Sequence, residues 1–193
     1  MRKELLDGEQ VFVIHDFLTP AECEDAIRLT ERVGYADAPI NTLSGPVMVK
    51  EIRNNERVMI DDFAWAAALW GRAQPFIPSP YKGHPATGLN ERFRFYRYDP
   101  GQTFRPHYDG YFARDDERSQ LTFMVYLSGG CVGGDTVLHI QDDGLTLADG
   151  TSIHVTPEPG KALVFEHQLL HEGAPVLAGR KYVLRTDVMY RVR

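Results

Sequence analysis

Seven or eight short β-rich segments, most of them after Glu91 and separated by glycine-rich turns, limit the folds open to this chain. RFRFYRY at 92–98 alternates over most of its length between arginine and aromatic residues. Turn signals such as SGG, VGG, DDG and LAG separate the later segments. Short strands at this spacing are typical of sandwiches and jelly rolls, whereas βαβ sheets alternate strands with helices. The sequence therefore predicts a mainly β core for residues 91–193, folded as a jelly roll.

Two helices are predicted in the first 90 residues. Thr19-Pro20-Ala21-Glu22 has the form of a capping box with proline at the first helical position, and Gly34 ends the helix after Val33. A second helix is predicted from Asp61 or Asp62 through FAWAAALWGRAQPF. We expect an α+β arrangement in which these helices pack on one face of the β core. The 193 residues suit a single domain, with 1–90 as a helical support that shapes the substrate site and 91–193 as the core.

Composition excludes several classes of protein. Lys and Arg total 21 against 27 Asp and Glu, and the net charge of −6 argues against a general nucleic-acid or anionic-membrane surface. No run of 18 apolar residues is present, and the first ten residues lack the apolar core of a signal peptide. Two cysteines, Cys23 and Cys131, are too few for a disulfide framework. These features predict a cytoplasmic protein with no membrane partner.

His107-Tyr108-Asp109 is the one place where a histidine stands two residues from an acid. In a strand, positions i and i+2 point to the same face, so both side chains can reach one metal ion. His171, just after the segment KALVFEH, is the best candidate for a third ligand. Two histidines and one carboxylate form the facial triad of non-haem Fe(II) oxygenases, which leaves coordination positions open, whereas zinc usually takes a tetrahedral site.

The last β-rich segment carries two cations on one face. Lys181 and Arg185 are four residues apart, an even spacing in a strand. A cation that points into a barrel needs an anion, and a dicarboxylic cosubstrate would supply one. Tyr98 and Tyr126 could donate hydrogen bonds to its carboxylate oxygens.

Five pieces in order, YRYDPGQTFRPHYDG, LTFMVYLS, GGDTVL, EPGKALVF and HEGAPVLAGRKYVLR, resemble the 2-oxoglutarate- and Fe(II)-dependent dioxygenases, most closely the prolyl 4-hydroxylase branch. The resemblance covers about residues 91–190 and implies a double-stranded β-helix, the jelly roll of this superfamily. It also implies eight site residues: the iron ligands His107, Asp109 and His171, and the cosubstrate residues Lys181, Tyr126, Tyr98, Thr122 and Arg185.

The resemblance gives these cosubstrate residues separate roles. Lys181 matches the basic residue that pairs with the C5 carboxylate of 2-oxoglutarate. Tyr126 matches a tyrosine beside that carboxylate, Tyr98 one that lines the pocket, and Thr122 shares the face of Tyr126. Arg185 departs from the pattern, and the sequence leaves open whether it binds a substrate carboxylate or takes the role given to Lys181.

The activity implied is hydroxylation of a C–H bond with release of succinate and CO2. The implied cofactors are Fe(II), 2-oxoglutarate as cosubstrate and O2, with ascorbate as a further reductant. Asp109 favours hydroxylation over halogenation, because related halogenases lack the carboxylate ligand. The substrate stays open between a peptidyl proline, another amino-acid side chain and a free small molecule, and so does the oligomeric state.

Two other classes of function remain open at this point. One is a cupin-like metal enzyme that does not use 2-oxoglutarate, in which Lys181 and Tyr126 would serve structure. The other is a non-catalytic jelly-roll binding module. Nucleic acid is an unfavoured partner because the chain is acidic.

Overall fold

A computed structural model describes residues 1–42, 45–140 and 151–192. Within these residues there are eighteen strands, two α-helices and one short 3-10 helix. The first nine strands are β1 (Arg2–Asp7), β2 (Val11–His15), β3 (Ala36–Asp37), β4 (Ile40–Thr42), β5 (Gly45–Val47), β6 (Glu56–Asp61), β7 (Ala86–Leu89), β8 (Arg92–Tyr98) and β9 (Phe104–His107). The other nine are β10 (Ala113–Arg114), β11 (Glu117–Tyr126), β12 (Val132–Gly133), β13 (Thr136–His139), β14 (Ser152–Val155), β15 (Ala162–Glu166), β16 (Leu170–Gly173), β17 (Val176–Ala178) and β18 (Lys181–Arg191).

The strands form a jelly roll from two main sheets, as predicted. The larger sheet has ten strands in the order β1-β2-β15-β11-β18-β8-β6-β3, with β10 beside β11 and β7 beside β18. The smaller sheet has the order β14-β13-β16-β9. Every pair in both sheets is antiparallel. Antiparallel strands alternate their side chains between the two faces, so the larger sheet can face helices on one side and the smaller sheet on the other.

Both predicted helices are present. The first, α1 (Pro20–Val33), has the expected capping box: the Thr19 hydroxyl accepts from the Glu22 backbone, and the Glu22 carboxylate accepts from the Thr19 N–H at 2.8 Å. The second, α2 (Phe63–Ala73), is capped by Asp62, whose carboxylate accepts from the Trp65 N–H at 2.9 Å. Asp61, the other predicted start, belongs to β6.

Alternation along the central strands separates two apolar cores. On β18, Tyr182 and Leu184 face the helices, in the core that also holds Leu69 of α2. Their neighbour Val183 faces the smaller sheet, in the core that holds Leu138. The same period of two places Lys181 and Arg185 on the inward face of the jelly roll, where the candidate site lies.

The N-terminal region is less purely helical than expected. Strands β1, β2, β3, β6 and β7 all lie within residues 1–90 and extend the larger sheet. β2 belongs there because four of its five residues, Val11 to Ile14, are buried and pack in the two cores. None of the described helices is long and apolar enough to cross a membrane.

Candidate metal centre

Three side chains converge at one end of the smaller sheet. His107 ends β9 and lies directly opposite His171 of the antiparallel neighbour β16, and Asp109 follows two residues later. One potential ligand atom from each residue lies within 4.8 Å of those of the other two. The His107 and His171 Nε2 atoms lie 3.9 and 3.6 Å from the Asp109 carboxylate. The three predicted ligands are therefore close enough together to bind one metal ion.

Hydrogen bonds orient both imidazoles toward that metal position. The Nδ1 of His107 lies 2.8 Å from the Arg105 carbonyl, and the Nδ1 of His171 lies 2.9 Å from the Leu169 carbonyl. A carbonyl only accepts, so each Nδ1 carries the proton and each Nε2 keeps a free lone pair. Ligating histidines in metal sites are oriented in this way.

The charge states of the three groups suit a divalent cation. Burial, together with the neighbouring His171, lowers the pKa of His107 to about 3, and burial also lowers the pKa of His171. Burial alone would raise the pKa of Asp109, but the charge of Arg185 and the nearby imidazoles hold it below its ordinary value. At neutral pH the site therefore offers two neutral imidazoles and one carboxylate, the donor set that open iron sites use.

A directed chain of hydrogen bonds supports the Asp109 carboxylate. It begins at the Phe112 N–H, which donates to the Ser119 hydroxyl at 2.8 Å, and it ends where the Thr122 hydroxyl donates to Asp109 Oδ2 at 2.6 Å. His167 joins the two hydroxyls, with Nε2 2.8 Å from Ser119 and Nδ1 2.9 Å from Thr122. Thr122 gives its one proton to Asp109, so His167 Nδ1 must donate and Nε2 must accept from Ser119. Burial lowers the pKa of His167 to about 4, which keeps it in this neutral form.

Removing one hydroxyl should test that chain. Thr122→Val deletes the donor to Asp109 while preserving shape, and we expect Fe(II) affinity to fall roughly 10-fold, as for other outer partners of metal ligands. Thr122→Ser keeps the hydroxyl and should retain most of the affinity. Anaerobic Fe(II) titration measures both variants, and wild-type affinity in Thr122→Val would contradict this role.

An inner cavity lies between the sheets beside the triad. Its lining includes both histidines and Asp109 together with Tyr96, Tyr98, Phe104, Thr122, Met124, Thr136, Phe165, Glu172, Gly173, Lys181, Val183 and Arg185. Tyr98 lies opposite Lys181 on the neighbouring strand, and its ring centre is 5.2 Å from the lysine Nζ. Thr136 and Met124 were not predicted as site residues, because an isolated threonine or methionine in a strand carries no distinctive signal.

The two predicted cations have different partners. Lys181 is 2% exposed, and its Nζ donates to the Gly134 carbonyl at 2.6 Å. Among the described residues no carboxylate lies within 4.0 Å of it, and burial lowers its pKa to about 8. Arg185 instead lies 3.1 Å from Asp109 and 3.2 Å from Asp187. Lys181 is therefore the cation that still needs an anion.

Two predicted cosubstrate residues are engaged elsewhere. The Tyr126 hydroxyl lies 2.8 Å from the Thr136 hydroxyl and 3.2 Å from the Val155 carbonyl, outside the cavity lining. The Thr122 hydroxyl is taken up by Asp109. Strand period gave the correct face for both residues, and each hydroxyl bonds a partner from a distant segment. Their roles toward the cosubstrate stay predictions.

A larger outer cavity opens onto His107 and Asp109 of the triad. Arg53, Arg57, Arg94 and Arg185 contribute to its lining, with Pro39, Ile40, Ile52, Tyr96, Phe104, His107, Tyr108, Asp109, Gly110, Tyr111 and Phe112. Burial raises the pKa of Tyr96, but Arg53, Arg185 and Arg94 outweigh it and bring that pKa below its ordinary value. Arg53 and Arg57 were not among the predicted site residues, because Arg53 lies in a segment, 35–56, that looks like loop with short strands, and Arg57 follows directly after it.

Comparison with known proteins gives consistent matches. The family model described as the 2OG-Fe(II) oxygenase superfamily matches residues 93–186. Prolyl 4-hydroxylase 1 of Arabidopsis thaliana is 25% identical over 90% of this chain and 66% of its own length. Probable prolyl 4-hydroxylase 8 of the same organism is 28% identical over 90% of this chain and 66% of its own length. The chain thus spans just under two thirds of the length of these curated relatives.

Solved structures share the fold. A prolyl-4-hydroxylase from Pseudomonas putida superposes with a TM-score of 0.65 and 22% identity, covering 95% of this chain and 93% of that chain. A Trichoplax adhaerens prolyl hydroxylase, solved with a hypoxia inducible factor peptide fragment, gives a TM-score of 0.69 and 17% identity, covering 95% and 84%. At these identities the likeness establishes the architecture.

Proposed function

We propose that this chain is a hydroxylase of the 2OG-Fe(II) oxygenase superfamily, whose family model matches residues 93–186, and that it uses Fe(II), 2-oxoglutarate and O2. The observation that carries this proposal is the pairing of two features. A cluster of two histidines and one aspartate lies beside a buried lysine that has no carboxylate partner among the described residues. A divalent metal suits the first, and a dicarboxylate suits the second.

Each residue has a distinct task in this proposal. His107, Asp109 and His171 hold the metal, and Lys181 binds the distal carboxylate of the cosubstrate from the end of the inner cavity. Arg185 partly neutralises Asp109 and fixes its orientation together with Thr122. Tyr98 lines the cavity beside Lys181. When bound, Fe(II) and 2-oxoglutarate supply the oxidative decarboxylation to succinate and CO2 that drives insertion of oxygen into a C–H bond.

For the substrate, we propose a chemical class and not one compound. The curated relatives are named as prolyl 4-hydroxylases, which supports a peptidyl proline or another amino-acid side chain as the acceptor. A free small molecule is the alternative. The single-domain organisation, the cytoplasmic location and any use of ascorbate stay predictions.

The direct test is optical. Protein purified without oxygen and loaded with Fe(II) should develop a visible metal-to-cosubstrate charge-transfer band when 2-oxoglutarate is added. The band should disappear in His107→Ala. Admitting O2 should then give succinate from 2-oxoglutarate in wild-type protein.

Two outcomes would overturn the proposal. Bound metal without a band would favour a cupin-like metal enzyme that does not use 2-oxoglutarate. Failure to bind any metal would favour a non-catalytic jelly-roll module.

A further inference from the structure

The outer cavity carries more positive charge than its wall neutralises. Of its fifteen lining residues four are arginines, and Asp109 is the one acid. Asp109 is already engaged as a candidate metal ligand, and a bound divalent cation would add more positive charge beside it. An enclosed surface of this kind concentrates anions.

Two of the four arginines have carboxylate partners. Arg185 lies 3.1 Å from Asp109, and both Arg94 and Arg185 lie 3.2 Å from Asp187. Asp187 also accepts from the Asn90 amide at 3.3 Å. It has little remaining capacity for a further cation, so it leaves the other two arginines without compensation.

Arg53 and Arg57 have no carboxylate within 4.0 Å among the residues that the structure describes. Arg53 is 5% exposed and donates from Nε to the Asn55 side chain at 2.8 Å. Its Nη2 is buried and has no hydrogen-bond partner. Burial first, and then the charges of Arg53 and Arg94, lower the pKa of the Arg57 guanidinium. A buried guanidinium donor without a partner is costly, and such groups in native proteins are usually completed by a ligand or water.

Stacking holds Arg53 beside the metal centre. Its guanidinium carbon lies 4.5 Å from the Tyr96 ring centre and 4.3 Å from that of Phe104. Phe104 in turn stacks on His107 with ring centres 3.4 Å apart. Only the Phe104 ring therefore separates the unpaired Arg53 guanidinium from His107, a candidate metal ligand. The planar guanidinium is held in place by this stacking, and its geometry suits a planar anion such as a carboxylate.

We propose that Arg53 and Arg57 form a subsite for a carboxylate of the primary substrate, and that Tyr108 and Tyr111 contact its apolar part. This proposal rests on the proposed function in one respect: it identifies the bound carboxylate ligand as the substrate of the enzyme. Tyr108 and Tyr111 are 54% and 58% exposed and lie at the mouth of the cavity. The substrate would thus present its carboxylate to the arginines and a C–H bond to the triad.

A single carboxylate fits better than a polyanion. The whole chain has a net charge of −6, which opposes the binding of a long polyanion, whereas a single carboxylate needs only the two arginines. A carboxylate can come from a free acid or chain end, or from an acidic side chain in a peptide. These two sources share the same chemistry and are separated by the test.

The test compares matched probes that differ in one charge. Anaerobic protein holding Fe(II) and saturating 2-oxoglutarate, which occupies Lys181, is titrated calorimetrically with two pairs. N-acetylproline against N-acetylprolinamide tests a terminal carboxylate. Acetyl-Pro-Glu-amide against acetyl-Pro-Gln-amide tests a side chain. We expect the acid of at least one pair to bind about 10-fold or more tightly than its amide, the scale of one charged hydrogen-bonded contact.

Variants assign that preference to the two arginines. Arg57→Gln, at a partly exposed position, should reduce the acid preference without unfolding the protein, and Arg53→Gln should reduce it further. Arg92→Gln is the matched control, because Arg92 lies on the same sheet, pairs with Asp61 and is outside the cavity. Equal binding within both pairs, absence of binding by all four probes, or a preference that survives in Arg57→Gln would overturn the subsite. Because binding is measured without turnover, loss of succinate formation alone would overturn the proposed function and not this subsite.

Discussion

Replacing His171 with alanine is expected to weaken Fe(II) binding at least 100-fold and to abolish the charge-transfer band. The loss should exceed the roughly 10- to 100-fold effect of outer partners, because a ligand itself is removed. His171 is buried in β16, and its Nδ1 donates to the Leu169 carbonyl. Its Nε2 therefore faces Asp109 and is available to bind the metal. Anaerobic Fe(II) titration measures the affinity.

His139→Ala provides the matched control. His139 lies on the adjacent strand β13, opposite Leu170, and its Nε2 is 3.5 Å from Glu172 rather than near Asp109. The control should bind Fe(II) like wild type. If His139→Ala lost the metal equally, or if His171→Ala bound it normally with its fold intact by circular dichroism, the triad assignment would be wrong.

Replacing Lys181 with methionine is expected to raise the 2-oxoglutarate concentration for half-saturation roughly 100-fold. A buried charged hydrogen bond to a carboxylate is worth about 1.5–3 kcal/mol, or roughly 10- to 100-fold, and the missing charge adds to this. Lys161→Met is the control, because Lys161 is a similarly buried lysine that pairs with Glu158 away from the cavity. The intensity of the charge-transfer band gives the affinity.

The same lysine predicts a pH dependence with a defined sign. Burial lowers the pKa of Lys181 to about 8 in the ligand-free protein, and only the protonated form attracts a carboxylate. Affinity for 2-oxoglutarate should therefore be nearly constant below pH 7 and should fall by up to about tenfold per pH unit above 8. Lys181→Arg should remove this fall between pH 8 and 9, because an arginine stays charged there. An unchanged slope in Lys181→Arg would assign the titration to another group.

Local patterns in the sequence were sufficient for much of the fold and for the candidate ligands. The Thr19 capping box and the Asp62 cap depend on residues within one helical turn. The face of each central strand follows from a period of two, which correctly put Tyr98, Lys181 and Arg185 inside the jelly roll. His107 and Asp109 could be paired for the same local reason. Their third partner, His171, required the spacing of the whole C-terminal half.

Side-chain partners could not be read from the same patterns. Thr122 and Tyr126 face inward as predicted, but His167, Asp109, Thr136 and Val155 satisfy their hydroxyls. Whether Lys181 or Arg185 lacks an anion depends on Asp109 and Asp187. The period of two along a strand determines the face on which a side chain lies. It does not determine which hydrogen-bond or ion-pair partner the side chain contacts on that face.

By itself the sequence determined the strand faces, the helix caps and the pairing of His107 with Asp109, because these depend on spacing along one segment. His171 followed from the order of motifs over the whole C-terminal half. Only the tertiary structure decided which buried cation stays unpaired and where the arginines of the outer cavity meet. Arg53 and Arg57 come from the region before α2, whereas Arg94 and Arg185 come from the central strands β8 and β18. Charge compensation between such distant segments depends on how the sheets pack, and no local pattern encodes it.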